Sequence, residues 1–210
     1  MLKTYPIYTT KDSLWQALLE GQEHAYEQML AQYGDALLAY GLKFTPDRDL
    51  VKDCIQNVLI HFYSQINRLS PINNLKSYLL VMLKHELVNQ LNDWHHTLIS
   101  IDEMPVFNLR ASQCLLPKEG LDDAAYQRHV QLMKLLDELP PRQKEAIYLY
   151  YIQEIPLKEI AVLMDMEYQS IRNLISRSLR KLREKIVVTG SSSLSLIYLL
   201  NGGTFVFKLD

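Results

Sequence analysis

Residues 154–186 read EIPLKEIAVLMDMEYQSIRNLISRSLRKLREKI, a stretch that opens with acidic and apolar residues and closes on arginine and lysine. Between 168 and 186 it carries Arg172, Arg177, Arg180, Lys181, Arg183 and Lys185 against Glu184 alone, a net charge of +5 in one helix-sized window. The whole 210-residue chain has a formal net charge of −2, so this basic stretch stands out against an acidic background. Ile171, Leu174, Ile175, Leu179 and Leu182 recur at helical spacing, with Arg172, Asn173, Ser176, Arg177 and Arg180 on the other side. One face is suited to packing and the other to phosphates and base edges. A charge run by itself is more often a solvated face, so the residues in front of it decide. There, RQKEAIYLYYIQ and PLKEIAVLMD read as two helices of about ten residues, followed closely by a basic helix of about seventeen. Short helices at such tight spacing predict a helix-turn-helix with a supporting helix in front, which turns the basic face towards DNA binding.

Upstream, the charge reverses, with residues 11–100 summing to −3. EHAYEQMLAQYGDALLAYGLKF places Tyr26, Met29, Leu30, Tyr33, Leu37, Tyr40 and Phe44 at helical spacing. TPDRD at 45–49 interrupts it, with Thr45 as the expected cap and Pro46 at the first helical position. A second helix is expected to about Ile66 on Val51, Cys54, Ile55, Val58, Leu59, Phe62 and Ile66. After LSPINN, a third has Leu75, Tyr78, Leu79, Met82, Leu83, Leu87 and Leu91 facing the core. The expectation is an all-α protein of two small helical domains, with a bundle at 11–97, a flexible linker at 98–121, a helix-turn-helix unit at 122–186 and an apolar tail at 187–210. In the tail, Gly190 to Ser193, the apolar run 194–200 and the alternating TFVFKL read as a short β-hairpin.

Composition narrows the function classes. Cys54 and Cys114 form no CxxC pattern, so neither a disulfide framework nor a cysteine zinc site is expected. No run of about eighteen apolar residues and no leader-like start is present, which points to a cytoplasmic protein without membrane insertion. His85, Asn89, His95 and His96, or Asp122 with Asp123, do not assemble a known metal or catalytic motif, and there is no Gly-rich phosphate loop or nucleophile elbow. No catalytic residue, metal or cofactor is expected.

The segment LLDELPPRQKEAIYLYYIQEIPLKEIAVLMDMEYQSIRNLISRSLRKLREKI resembles the promoter-binding region 4 of bacterial sigma-70 family sigma factors, above all the extracytoplasmic function (ECF) group. ELPPRQKE, EIA at 159–161 and SRSLRKLRE at 176–184 carry the likeness, and the three upstream helices resemble region 2 of the same group. The resemblance implies a sigma factor that binds core RNA polymerase, through the β′ clamp helices and the β flap, and directs it to a subset of promoters. It implies polymerase contacts at Asp53, Gln56, Asn57 and Ile60, with Asp53 and Gln56 matching the family's DxxQ and Asn57 standing where an acidic residue is usual. It implies minus-10 contacts near Lys76, Lys84 and Asn89, and minus-35 contacts at Tyr168, Gln169, Arg172, Asn173, Ser176, Arg177, Arg180 and Lys181.

Two departures stand out. The third helix ends in NQLNDWHH rather than an arginine-rich segment; Trp94, His95 and His96 are suited either to stacking on bases or, for Trp94, to closing the core. In the helix-turn-helix, Pro156, Asp165 and Glu167 occupy places where small hydroxyl residues and a turn glycine are common. Carboxylates there repel phosphates, so the alternative reading is a sigma-like regulator whose targeting depends on a further protein, such as an anti-sigma factor.

Overall fold

A computed structural model of the chain describes residues 11–69, 72, 74–98, 107–109 and 123–188. The described residues form helices without strands, in two compact units that divide between Pro105 and Val106. The β-hairpin expected at 187–210 falls almost wholly outside them.

The first unit contains α1 (Lys11–Leu19), α2 (Glu23–Gly41), α3 (Arg48–Gln65) and α4 (Leu75–Leu98). α1, which lies before the first helix read from periodicity, ends before Gly21, whose φ of 70° puts it in the left-handed region. The amide of Gln22 bonds back to the Ala17 carbonyl at 3.0 Å and that of Gly21 to Leu18 at 3.1 Å, closing a Schellman turn. α3 starts later than TPDRD suggests. Asp47, not Thr45, is the cap; its Oδ1 accepts from the amides of Asp49 and Leu50, each at 3.0 Å. Thr45 Oγ1 instead accepts from the Asp47 amide at 3.2 Å, so the earlier residue organises the cap rather than forming it. Asn74 plays the capping part at α4, its Oδ1 accepting from the Ser77 amide at 3.2 Å.

The core of this unit is built where α2 and α4 meet α3. Val51, Cys54, Ile55, Val58 and Phe62 of α3 are buried against Leu79, Leu80, Leu83 and Leu87 of α4 and Met29, Leu37 and Tyr40 of α2. Each such side chain contributes about 1.5–3 kcal/mol relative to exposure, enough to set the helix faces against modest propensity differences. Trp15 of α1 and Tyr78 of α4 flank Phe62, with ring centroids 6.4 and 6.1 Å away. Gly41 lets α2 and α3 approach closely; a Cβ there would lie 2.4 Å from Val51 Cγ1. Leu30 departs from the expected core face and is 48% exposed, because Ala25 and Met29 take the inward positions of that turn.

The second unit contains α5 (Asp123–Asp137), α6 (Pro141–Ile147), α7 (Leu157–Leu163) and α8 (Tyr168–Val188). The expected supporting helix is split: after α6, Tyr148–Ile152 widen into a π-helical turn. The turn closes with the Gln153 amide on the Tyr148 carbonyl at 3.0 Å and the Ile155 amide on Leu149 at 2.9 Å, with Glu154 at φ 53°. Inside it, Gln153 Nε2 donates to the Tyr148 hydroxyl at 2.8 Å, which satisfies both buried polar groups. Phe107 and Leu109, from the stretch expected as linker, are also buried in this unit, at 3% and 1% exposure.

Candidate nucleic-acid interface

α8 is set by four buried residues, Ile171, Ile175, Ser178 and Leu182, which pack its inner row against α5, α6 and α7. Leu174 and Leu179, expected on that row, are half-buried at its edges. Ser178 takes their place; it is fully buried, and its Oγ donates to the Leu174 carbonyl at 2.8 Å. A hydroxyl satisfied within its own helix packs like a small apolar residue, which hydropathy spacing misses.

The outer row is open. Gln169, Arg172, Asn173, Ser176, Arg177, Arg180 and Lys181 are exposed, and Tyr168 is 42% exposed. Three of these side chains are locally ordered. Gln169 Nε2 lies 3.3 Å from Asn173 Oδ1, and Arg177 Nε donates to the Asn173 carbonyl at 3.3 Å. Arg180 reaches Glu184 at only 3.9 Å, a pair too exposed to hold it. Lys181 differs from the rest. It shares a row with Lys185, which is bonded to Glu138, and the Glu138 carboxyl is held below its usual range first by Lys185 and less by Lys181. Part of the Lys181 charge is therefore already answered within the unit.

The turn between α7 and α8 accommodates Asp165 where glycine is expected. Asp165 has φ 51°; its amide bonds to the Val162 carbonyl at 3.2 Å and that of Met166 to Ala161 at 2.9 Å, the Schellman pattern. Aspartate tolerates this left-handed conformation better than most residues. The Ile171 amide bonds to the Glu167 carbonyl at 3.1 Å, which puts Glu167 at the cap of α8. Pro156 likewise sits at the cap of α7, one residue before the first helical position. Asp165 and Glu167 are both exposed. They complement the positive end of α8, yet stand at the end of that helix that would enter a groove.

In the first unit, the outward row of α3 carries Asp53, Gln56, Asn57 and Ile60, all exposed. The structure divides them between two grooves. Asp53, Gln56 and Asn57 line a polar groove of about 380 Å³ with Leu50, Cys54 and Gln90. Ile60, 61% exposed, instead lines an apolar groove of about 430 Å³ with Leu59, Tyr63, Tyr26, Gly21 and Glu23. Tyr26 and Tyr63 stack edge to face there at 5.0 Å, and the Tyr26 hydroxyl donates to the Leu18 carbonyl at 3.1 Å. Spacing places Leu59 on the core face and gives Tyr63 no role; the structure brings both to this groove. Asn57 Nδ2 donates to Glu86 Oε1 on α4 at 2.9 Å. Cys54, behind the polar groove, is 1% exposed; burial first, then Glu86 and Asp53, push its thiol up to about 11.

On α4, Lys76 and Lys84 are half-buried and Asn89 is exposed. The side chains of Trp94, His95 and His96 lie outside the described residues. Among the described residues no three metal-ligating side chains come together, and no helix is long and apolar enough to cross a membrane.

A helical unit with an exposed, mostly polar row on α3, followed by a helix-turn-helix unit with an exposed basic row, fits a DNA-binding transcription protein. Two family descriptions match: "Sigma-70 region 2" over residues 29–95 and "Sigma-70, region 4" over residues 129–182. The chain is 24% identical over 169 residues to the RNA polymerase sigma-E factor of Streptomyces coelicolor, covering 80% of this chain and 89% of that protein. It is 20% identical over 159 residues to the ECF RNA polymerase sigma factor SigM of Bacillus subtilis, covering 75% and 92%. Its fold is similar to CnrH, solved in complex with the cytosolic domain of CnrY, with a TM-score of 0.52, 18% identity and coverage of 85% and 97%. It is similar also to RpoE of Bartonella quintana, solved with the anti-sigma factor NepR, with a TM-score of 0.52, 21% identity and coverage of 78% and 97%. The chain belongs to the ECF group of the sigma-70 family and is a sigma factor that directs transcription initiation.

Proposed function

We propose that the two units divide promoter recognition and polymerase binding as follows. The α3 row of Asp53, Gln56, Asn57 and Ile60 holds the β′ clamp helices, while Lys76, Lys84 and Asn89 on α4 lie along the minus-10 strand. The second unit engages the β flap, and Tyr168, Gln169, Arg172, Asn173, Ser176, Arg177 and Arg180 face minus-35 DNA, with Lys181 contributing less. The domains are taken as 11–97, 122–186 and the connection between them, and the protein works in the cytoplasm without chemistry of its own. The observation that carries this reading is the uninterrupted exposed row from Gln169 to Arg180, directly after the Asp165 turn.

The exposed carboxylates of Asp165 and Glu167 favour a second element, a partner protein that assists or restrains promoter binding. An anti-sigma factor is one such partner, as in the solved NepR complex of the Bartonella protein. The test is initiation in vitro with purified chain and core polymerase. Specific transcripts from the two proteins alone support unaided recognition; binding to core with no transcript until a third protein is added supports the assisted form. Failure to bind core at all would remove the reading.

A further inference from the structure

The turn that follows α6 is wound more widely than an α-helix. Over Tyr148–Ile152 it takes π geometry, and the Gln153 amide bonds to the Tyr148 carbonyl, five residues back, at 3.0 Å. The same two residues are joined a second time, since Gln153 Nε2 donates to the Tyr148 hydroxyl at 2.8 Å. In an α-helix, side chains five residues apart point about 140° away from one another, so the second bond favours the widened form. Tyr148 is 2% exposed and Gln153 6%, and the buried Phe107 ring packs on Tyr148 with centroids 5.7 Å apart. Away from water a polar pair is costly to separate, which holds the turn in the geometry that keeps the two together.

Two links carry the shape of this turn to the basic helix. The turn packs on α6 and on α7, and α7 packs on α8. Burial and then Tyr150 push the Tyr151 hydroxyl up to about 12, while the charge of Arg183 on α8 pulls it down, so α8 also acts electrostatically on the turn. Each residue of winding gained or lost turns the chain that leaves α6 by about 100°. We propose that Tyr148, Gln153 and Phe107 are positioning residues: the buried bond, packed under Phe107, selects the π turn and so sets the direction in which the helix-turn-helix leaves its supporting helix. All three are buried, so they act through α7 and α8 rather than on DNA. A misdirected α8 keeps its positive charge but loses its register on base edges, which separates sequence reading from phosphate attraction. The inference rests on α8 reading minus-35 DNA.

The test compares full chains carrying Tyr148→Phe, which removes one hydroxyl, with Met133→Ala, which opens a cavity in α5 of the same unit, where Met133 is 4% exposed. Both are set against the parent at a temperature where circular dichroism finds all three folded. Amide exchange reads the turn: Tyr148→Phe should speed exchange at Gln153 and Ile155 about tenfold more than at Ile171, and Met133→Ala should not single them out. Holoenzyme reads the helix. On fragments selected from random DNA by the parent holoenzyme, Tyr148→Phe should lower affinity at least about fivefold, the lower end of what a coupled position transmits. On a shuffled fragment it should bind as the parent does, and Met133→Ala should match the parent on both. Gln153→Met, which removes the other partner, carries the same expectations if Tyr148→Phe does not fold, and Phe107→Leu should keep promoter affinity closer to the parent than Phe107→Ser. Unchanged exchange at the turn overturns the selection of the π form. Unchanged promoter affinity, or an equal loss from Met133→Ala, overturns the positioning role. A parent holoenzyme that selects no sequence would instead refute the minus-35 reading and the positioning role with it, leaving the exchange result to decide the turn.

Discussion

Asn57 of α3 is hydrogen-bonded through its side-chain amide to Glu86 of α4 at 2.9 Å, and the same Glu86 oxygen accepts from Gln90 at 3.2 Å. A neutral side chain at position 57 thus joins the outward row of α3 to α4, where a carboxylate would oppose Glu86.

Asn57→Asp should therefore lower stability by about 1 kcal/mol, through a lost hydrogen bond and a new like-charge pair. Glu86→Gln on that background should recover most of it. The measurement is urea denaturation of the four proteins of the cycle; a coupling energy of zero would show that the 57–86 contact contributes nothing.

Gly41→Ala places a methyl 2.4 Å from Val51 Cγ1 and 3.5 Å from Leu87 Cδ1, so α2 and α3 must separate. The expected cost is about 1–3 kcal/mol, against a helix-propensity gain of about 1 kcal/mol for alanine over glycine. Val51→Ala should partly relieve the variant. If Gly41→Ala melts at or above the parent temperature, the close approach is not a constraint.

At Asp165 the backbone φ of 51° and the carboxylate separate cleanly by substitution. Asp165→Gly should be neutral or stabilising by up to about 1 kcal/mol, while Asp165→Ala should cost about 1 kcal/mol in the left-handed region. Asp165→Asn keeps a residue tolerant of that conformation and removes the charge. Holoenzyme carrying it should bind promoter DNA more tightly at low salt, with the advantage shrinking as salt rises. An advantage that is independent of salt would point away from charge repulsion.

Arg177 and Lys181 should differ. Arg177→Ala is expected to weaken holoenzyme binding to DNA and to reduce the slope of log affinity against log salt by about 1, as for one lost phosphate contact. Lys181→Ala should change the slope less, because the Lys181 charge also helps to hold the Glu138 carboxyl below its usual range. Equal slopes for the two variants would contradict this ordering.

For Cys54, the folded value of about 11 lies above the usual thiol value of 9.0, so its contribution to stability is complete below pH 9 and is lost as pH rises towards 11. The native chain should lose stability more steeply across that window than Cys54→Ala, read as urea midpoints against pH. Parallel curves would mean that the thiol does not titrate with unfolding.

Much of this architecture is legible in spacing. The apolar rows of α3 and α4 follow directly from Val51, Cys54, Ile55, Val58 and Phe62, and from Leu79, Leu83 and Leu87, because a helix repeats its inward face every three or four residues. The basic row of α8 is equally legible, as is its place after two short helices. Leu30 and Ser178 mark where periodicity ceases to decide burial. Position on a helical face is periodic, but which of two adjacent rows is covered depends on a neighbouring helix distant in sequence. Leu30 lies on an apolar row that is left open, and Ser178 lies on a row that packing closes, its hydroxyl satisfied at home.

By itself, then, the amino-acid sequence determined two helical units, their order, the helix-turn-helix and the sign of charge each presents, since these rest on local periodicity and on composition within a window. Only the tertiary structure decided that Asp47 caps α3, that Ile60 and Asn57 open into different grooves, that Lys185 of the basic stretch is bonded to Glu138, and that Phe107 and Leu109 belong to the second unit. Each of these depends on which surfaces come together across long separations in sequence, and burial, unlike periodicity, is a property of the pair.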